Sequence, residues 1–243
     1  EAIATLDEWN KIKGKGCKEI ENLLRANIIP KDARKQIQRP IDEFYRGFPP
    51  KWTDILRNVI YKTSHYKNIE DSVFNKKKGT IIIGSPISGK TTLAMQVGYF
   101  IHYNGIKLFL TDLNQGKANY LSKIIGNQNV LLLVENFTDD IQAFKELKSL
   151  PNVSLVGVDR SHNFGYVSHL IDKNNFDIIN VTQLTEFDIQ GIIDTIPDGI
   201  RKSEAEIRKS NLRDMDESIF ELVIRHIKGE SVKNRYKKFI KNL

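Results

Sequence analysis

Thr80-Ile81-Ile82-Ile83-Gly84-Ser85-Pro86-Ile87-Ser88-Gly89-Lys90-Thr91-Thr92 decides the fold. Residues 84–91 fit G-x-x-x-x-G-K-[ST], the Walker A phosphate loop. The chemistry needs each part. Gly84 and Gly89 let the loop Ser85-Pro86-Ile87-Ser88 turn its backbone N–H groups, those of every residue but Pro86, inward around an anion, and a helix opening at the loop points its positive end at phosphate. Lys90 neutralises the β- and γ-phosphates, the Thr91 hydroxyl is in reach of Mg²⁺, and Thr92 can bond the α-phosphate. The motif follows a β-branched strand and precedes a helical stretch, which is the context a nucleotide-binding loop requires.

Working outward, short apolar runs at residues 80–83, 107–110, 130–134, 153–158 and 177–181 alternate with helical stretches at 91–103, 116–126, 140–150 and 164–173. The runs are rich in β-branched residues and leucine, as strands buried on both faces should be. Five strands alternating with four helices predict a parallel α/β sheet covered on both sides. The second motif, Val130-Leu131-Leu132-Leu133-Val134-Glu135-Asn136, reads as a Walker B strand. Glu135 stands where an acid holds Mg²⁺ through water, and Asn136 where a second acid often activates the attacking water. One strand, 107–110, lies between the two motifs, which points to the additional-strand class of P-loop NTPases with sheet order 5-1-4-3-2. The next strand ends in Asp159-Arg160-Ser161. Arg160 is placed to sense a γ-phosphate, with a surface pairing to Asp159 as the alternative. His162 reads as an exposed loop residue.

The flanks are helical in character. Ahead of the sheet, Trp52, Ile55, Leu56 and Val59 share one helix face behind Pro49-Pro50, and Gly14, Gly16, Pro30 and Pro40 interrupt shorter stretches. Lys76-Lys77-Lys78 marks a solvated turn. After residue 181 no strand is expected. Thr185 and Asp188 form a capping box that opens a helix carrying Ile189, Ile192, Ile193 and Ile196 on one face. Pro197-Asp198-Gly199 stops it. Ser203 and Glu206 form a second box, and Phe220, Val223, Ile224 and Ile227 repeat the helical spacing. The final segment sets Val232, Tyr236, Phe239, Ile240 and Leu243 against Lys233, Arg235, Lys237, Lys238 and Lys241. Those cations read as a solvated helix face or a continuing helix, with nucleic-acid contact as the other possibility. The expected division is 1–43 as a helical N-terminal segment or linker, 44–182 as the α/β core and 183–243 as a helical lid.

Composition excludes several classes. The chain has 243 residues, 40% of them hydrophobic and 28% charged, which rules out wholesale disorder. The longest apolar run has five residues, far short of the ~18 of a membrane span. The single cysteine, Cys17, excludes disulfides and suits a reducing, cytoplasmic compartment. The sequence opens Glu-Ala-Ile without a signal-peptide pattern and reads as a processed or excised piece. The formal charge of +7 divides as +6 in the first 79 residues, zero over 80–184 and +1 beyond. A neutral core argues against a motor that tracks nucleic acid.

Phe44-Tyr45-Arg46-Gly47-Phe48-Pro49-Pro50-Lys51-Trp52-Thr53-Asp54-Ile55 resembles the start of the novel STAND NTPase family. The Walker A loop, Val134-Glu135-Asn136-Phe137, Val158-Asp159-Arg160-Ser161 and Leu184-Thr185-Glu186-Phe187 are similar too, so the resemblance runs from about residue 44 to 243. That family supplies the central ATPase of large bacterial antiviral defence proteins coupled to sirtuin, nuclease or other effectors. The resemblance implies a switch ATPase using ATP/ADP and Mg²⁺, self-association through the NTPase module, and effector and sensor domains outside this chain; Asn136, which cannot accept a proton from water, makes slow hydrolysis the expectation. It also implies that Phe48, Pro49 and Trp52 lie near the adenine. Read locally, Trp52 fits a core position better than a ligand contact. The rival reading is a nucleic-acid-handling ATPase, such as a helicase loader or transposition ATPase. A third is a nucleotide-bound scaffold without turnover.

Overall fold

The computed structural model describes residues 26–28, 39–74, 79–203 and 219–228. The expectations placed on Gly14, Gly16, Cys17, Pro30, residues 76–78, Glu206 and residues 232–243 lie outside them. Six strands form one sheet: β1 (Ala26–Ile28), β2 (Gly79–Gly84), β3 (Ile106–Leu110), β4 (Val130–Glu135), β5 (Val153–Arg160) and β6 (Phe176–Asn180), in the order β1-β3-β4-β5-β2-β6. The five strands from β2 to β6 are parallel and follow the 5-1-4-3-2 order. The sequence expects a helical segment or linker in the first 43 residues, and β1 is a strand it does not anticipate. It pairs antiparallel with β3, Ala26 opposite Leu110 and Ile28 opposite Leu108. An open edge strand offers a row of unpaired backbone groups, and that tertiary opportunity outweighs local helical preference.

The central strands are buried on both faces because crossover helices cover each side. Leu132 and Val134 of β4 join one apolar cluster with Phe137, Phe144 and Leu147. Leu131 and Leu133 join the other, with Leu93, Ala94 and Val97 of the helix Lys90–Phe100. The helices Gln115–Ile125, Ile141–Lys148 and Ser161–Val167 complete the crossovers. Register positions the site. Gly84 pairs with Arg160, and Glu135 with Val158, so the phosphate loop, the Walker B acid and Arg160 all emerge at one sheet edge. Ligands of open parallel sheets bind at that carboxyl edge.

Two flanking pieces pack over it. The expected helix behind Pro49-Pro50 is only Trp52–Leu56; Asn58 turns to φ 52° and Val59 is exposed rather than on the apolar face. A buried ion pair holds this segment. Arg39 donates to Asp54 through Nε (3.2 Å) and Nη2 (2.5 Å), and to the Pro49 carbonyl at 2.7 Å. The helices Glu186–Thr195 and Ile219–His226, in the stretch expected to be a lid (hereafter the lid), share a separate cluster of Ile192, Ile196, Ile200, Leu222, Val223 and Ile227, which Tyr45 of the leading segment enters. Among the described residues, no helix is long and apolar enough to cross a membrane.

Lid and leading segment are also joined by polar contacts. The Asp188 carboxylate closes the expected capping box with Thr185 and accepts from Ser64 N at 2.6 Å and Ser64 Oγ at 2.7 Å. His65 Nε2 meets the Gln183 carbonyl at 2.7 Å. At Gly191 a Cβ atom would come within 2.1 Å of the Tyr61 ring, so only glycine allows that approach. Burial works against ionising Asp188, but the bonds from Ser64 and Thr185 outweigh it and hold its carboxyl below the usual range. Asp188→Asn turns a donor toward donors and is expected to cost about 1–3 kcal/mol, read as a lower denaturation midpoint at pH 7. The lowered folded pKa means this stabilisation is complete above the unfolded value of ~3.9 and fades as pH falls below it. The gap between variant and parent should therefore narrow below about pH 4.

Candidate active site

The loop between β2 and the helix Lys90–Phe100 is bent by two left-handed residues, Ile87 at φ 63° and Gly89 at φ 80°. Glycine takes that conformation freely; a β-branched residue there is strained, typically by ~1–3 kcal/mol. The sequence places Ile87 in the loop but gives no sign of this strain. Ser85 N is held by Thr182 Oγ1 at 3.2 Å, which ties the loop to the end of β6.

Lys90 is expected from sequence to be exposed before a ligand arrives. It is instead buried, its Nζ donating to the Ser85 carbonyl at 2.6 Å and reaching Ser88 Oγ at 3.4 Å. The loop thus supplies its own acceptors to the cation. Burial, and then the neighbouring Arg160, push the Lys90 amine down to about 8, against the opposing pull of Asp159 and Glu135.

Thr91 Oγ1 donates to Glu135 Oε1 at 2.5 Å. The two groups expected to serve one divalent cation are therefore in contact, a hard-oxygen pair of the kind Mg²⁺ takes alongside phosphate and water. Burial raises the Glu135 carboxyl, while Thr91 and Lys90 pull it back. Asn136 is exposed at φ 51°, its amide pointing toward the Thr111 carbonyl at 3.5 Å.

Arg160 lies at the end of β5, and its side chain forms no ion pair among the described residues; the alternative pairing with Asp159 is not made. Asp159 is buried and fully engaged elsewhere. One oxygen accepts from Thr138 N (3.2 Å) and Oγ1 (2.6 Å), the other from Arg160 N (2.7 Å) and Asn163 Nδ2 (2.9 Å). His162 is exposed, as expected.

Two cavities meet at the loop. The smaller, about 200 Å³, is lined by Pro86, Glu135, Asn136, Asp159 and Arg160. The larger, about 580 Å³, lies between core, leading segment and lid. Its lining includes Phe48, Pro49, Ser88, Gly89 and Thr92. Ile87, Lys90 and Thr91 line both. An apolar cleft of this size with a cationic end suits a nucleotide laid along it. Gly84 and Ser85 line neither cavity and lie in the base of the loop. Trp52 corrects the expectation of an adenine contact. It packs edge-on against Phe109 of β3, centroids 5.4 Å apart, and so belongs to the core. Sequence reading missed Tyr61, His65, Gln96, Ile192, Thr195 and Val223, all of which line the larger cavity. They carry no motif and converge only through packing.

A family model described as Novel STAND NTPase 5 matches residues 42–162, from just ahead of Phe44 to just past Arg160. No curated protein matches the sequence. A solved structure of C. elegans PCH-2 is similar at a TM-score of 0.41 and 12% identity, over 62% of this chain and 52% of that one, so the chain spans about half that protein's length. With the family match spanning both Walker elements and Arg160, this chain carries a novel STAND-type NTPase domain.

Proposed function

We propose that the chain is the nucleotide-dependent switch of a larger protein, with ATP binding and slow hydrolysis controlling its assembly or activation. One observation supports this best: the two cavities join at Lys90 and Thr91, so a triphosphate bound there would have its base under the lid and its γ-phosphate beside Glu135 and Arg160. The loop N–H groups and Lys90 bind the β- and γ-phosphates. Lys90 gives up its bonds to Ser85 and Ser88 as they arrive. Thr91 and Glu135 would hold Mg²⁺, which screens phosphate charge when bound. Asn136 orients water without accepting its proton, and Arg160 marks the presence of the γ-phosphate.

The lid contributes Ile192, Thr195 and Val223 to the base end, while Asp188 ties the lid to Ser64. Nucleotide occupancy therefore acts on lid and leading segment together, and the ATP- and ADP-bound forms would differ in what they expose for self-association. A role in antiviral defence, with effector and sensor domains elsewhere in the protein and in the cytoplasm, follows from the family resemblance.

The test is Arg160→Ala. It should weaken ATP about ten- to a hundredfold while ADP stays near parental affinity, because a charge-assisted contact contributes roughly 1.5–3 kcal/mol. Equal weakening of both nucleotides in calorimetric titrations would remove Arg160 from this role.

A further inference from the structure

We infer that the larger cavity selects adenine, and that Gln96 is the residue that reads the base. The inference rests on the nucleotide-binding reading above and adds a specificity determinant to it.

Gln96 is buried, 3% exposed, yet lines the cavity. Its Nε2 donates to two backbone carbonyls, Ile60 O at 3.1 Å and Tyr61 O at 3.3 Å. Both partners are pure acceptors, so the NH₂ end must face them, which fixes the orientation of the amide. Oε1 is the remaining end. It receives no hydrogen bond from any described residue. It is not one of the buried polar atoms left without a partner, so it is open to the cavity that Gln96 lines, where an occupant's donor can take the place of water.

Position along the helix identifies the occupant. Gln96 and Thr92 are four residues apart on the helix Lys90–Phe100, hence on one face and about 6 Å apart along its axis. Both line the larger cavity, with Leu93 between them. A nucleotide whose α-phosphate sits at Thr92 and whose base runs under the lid brings the far edge of a purine to Gln96. Adenine carries an amino donor on that edge, and guanine carries a carbonyl acceptor in its place. Oε1 pairs with the first and repels the second. A pyrimidine, one ring shorter, falls short of it.

The same amide links recognition to architecture. Its donor end secures residues 60 and 61, the stretch that leads to the Ser64 contact with the lid. A base bonded to Oε1 therefore touches the bridge between the phosphate-loop helix and the leading segment.

The experiment is calorimetric titration of the full chain, in Mg²⁺, with ATP, GTP and purine riboside 5′-triphosphate, which has the ring of ATP without its amino group. The purine analogue is expected to bind about five- to tenfold more weakly than ATP, the loss of one buried hydrogen bond, and GTP more weakly still. Gln96→Met, which keeps the length and drops the amide, should bring ATP and the analogue to equal affinity. If that variant does not fold, the analogue series on the parent chain decides alone. Affinities for ATP and the analogue within twofold of each other would overturn the inference and leave nucleotide binding standing. Binding of none of the three would overturn the nucleotide-binding reading itself.

Discussion

Lys90→Ala is expected to lose at least about a hundredfold in ATP affinity while keeping its fold. The magnitude follows from two charge-assisted contacts to the β- and γ-phosphates at roughly 1.5–3 kcal/mol each. The fold should survive because the lysine's partners, the Ser85 carbonyl and Ser88 Oγ, belong to the loop itself and alanine favours the helix it opens. Thermal denaturation should move by no more than a few degrees. Parental affinity in the variant would refute the Walker A assignment.

The same residue gives the parent chain a pH signature. With its amine at about 8 in the free protein, Lys90 is mostly protonated at neutral pH and loses its proton as pH rises past that value. Phosphate anions favour the charged amine, so binding takes up a proton above pH 8. ATP affinity should therefore be level near neutrality and fall by up to tenfold per unit once pH passes about 8.

The second large effect concerns rate. Basal hydrolysis by this chain should run well below one turnover per second, because Asn136 stands where an acid would take a proton from the attacking water. An amide is essentially non-basic at neutral pH, and positioned general-base help is typically worth about 10²–10⁴-fold. Asp159 does not substitute for it. Both its oxygens are already engaged by Thr138, Arg160 N and Asn163, which leaves no free position toward water. Asn136→Asp is expected to hold or raise the rate, and aspartate tolerates the left-handed backbone at this position better than a branched residue would. Glu135→Ala should instead weaken Mg²⁺-dependent binding. A fast ATPase in the monomeric chain, unchanged by substitution at Asn136, would defeat the proposal of a slowly hydrolysing switch.

The sequence by itself determined the position of the glycine-rich loop, the parallel strands and the Thr185–Asp188 cap. Each is local or periodic: a glycine-rich turn, a run of β-branched residues, a capping box. Such features depend on backbone geometry over a few residues, so they can be read before the chain is folded. Their convergence also follows, since parallel strands must present their carboxyl ends along one edge. Tertiary structure decided the rest. Trp52 reads locally as core while the family resemblance puts it at the base, and the contact with Phe109 decides for the core. Ala26–Ile28 becomes a strand because β3 has an open edge to satisfy. Lys90 is buried because its own loop supplies acceptors. The larger cavity is assembled from residues 44–65, the helix after the phosphate loop and the lid, the first and last of them more than a hundred residues apart. Nothing in the spacing of Tyr61, Gln96 and Ile192 announces that they meet, because a pocket wall needs only shape and one free acceptor, and packing alone brings those together.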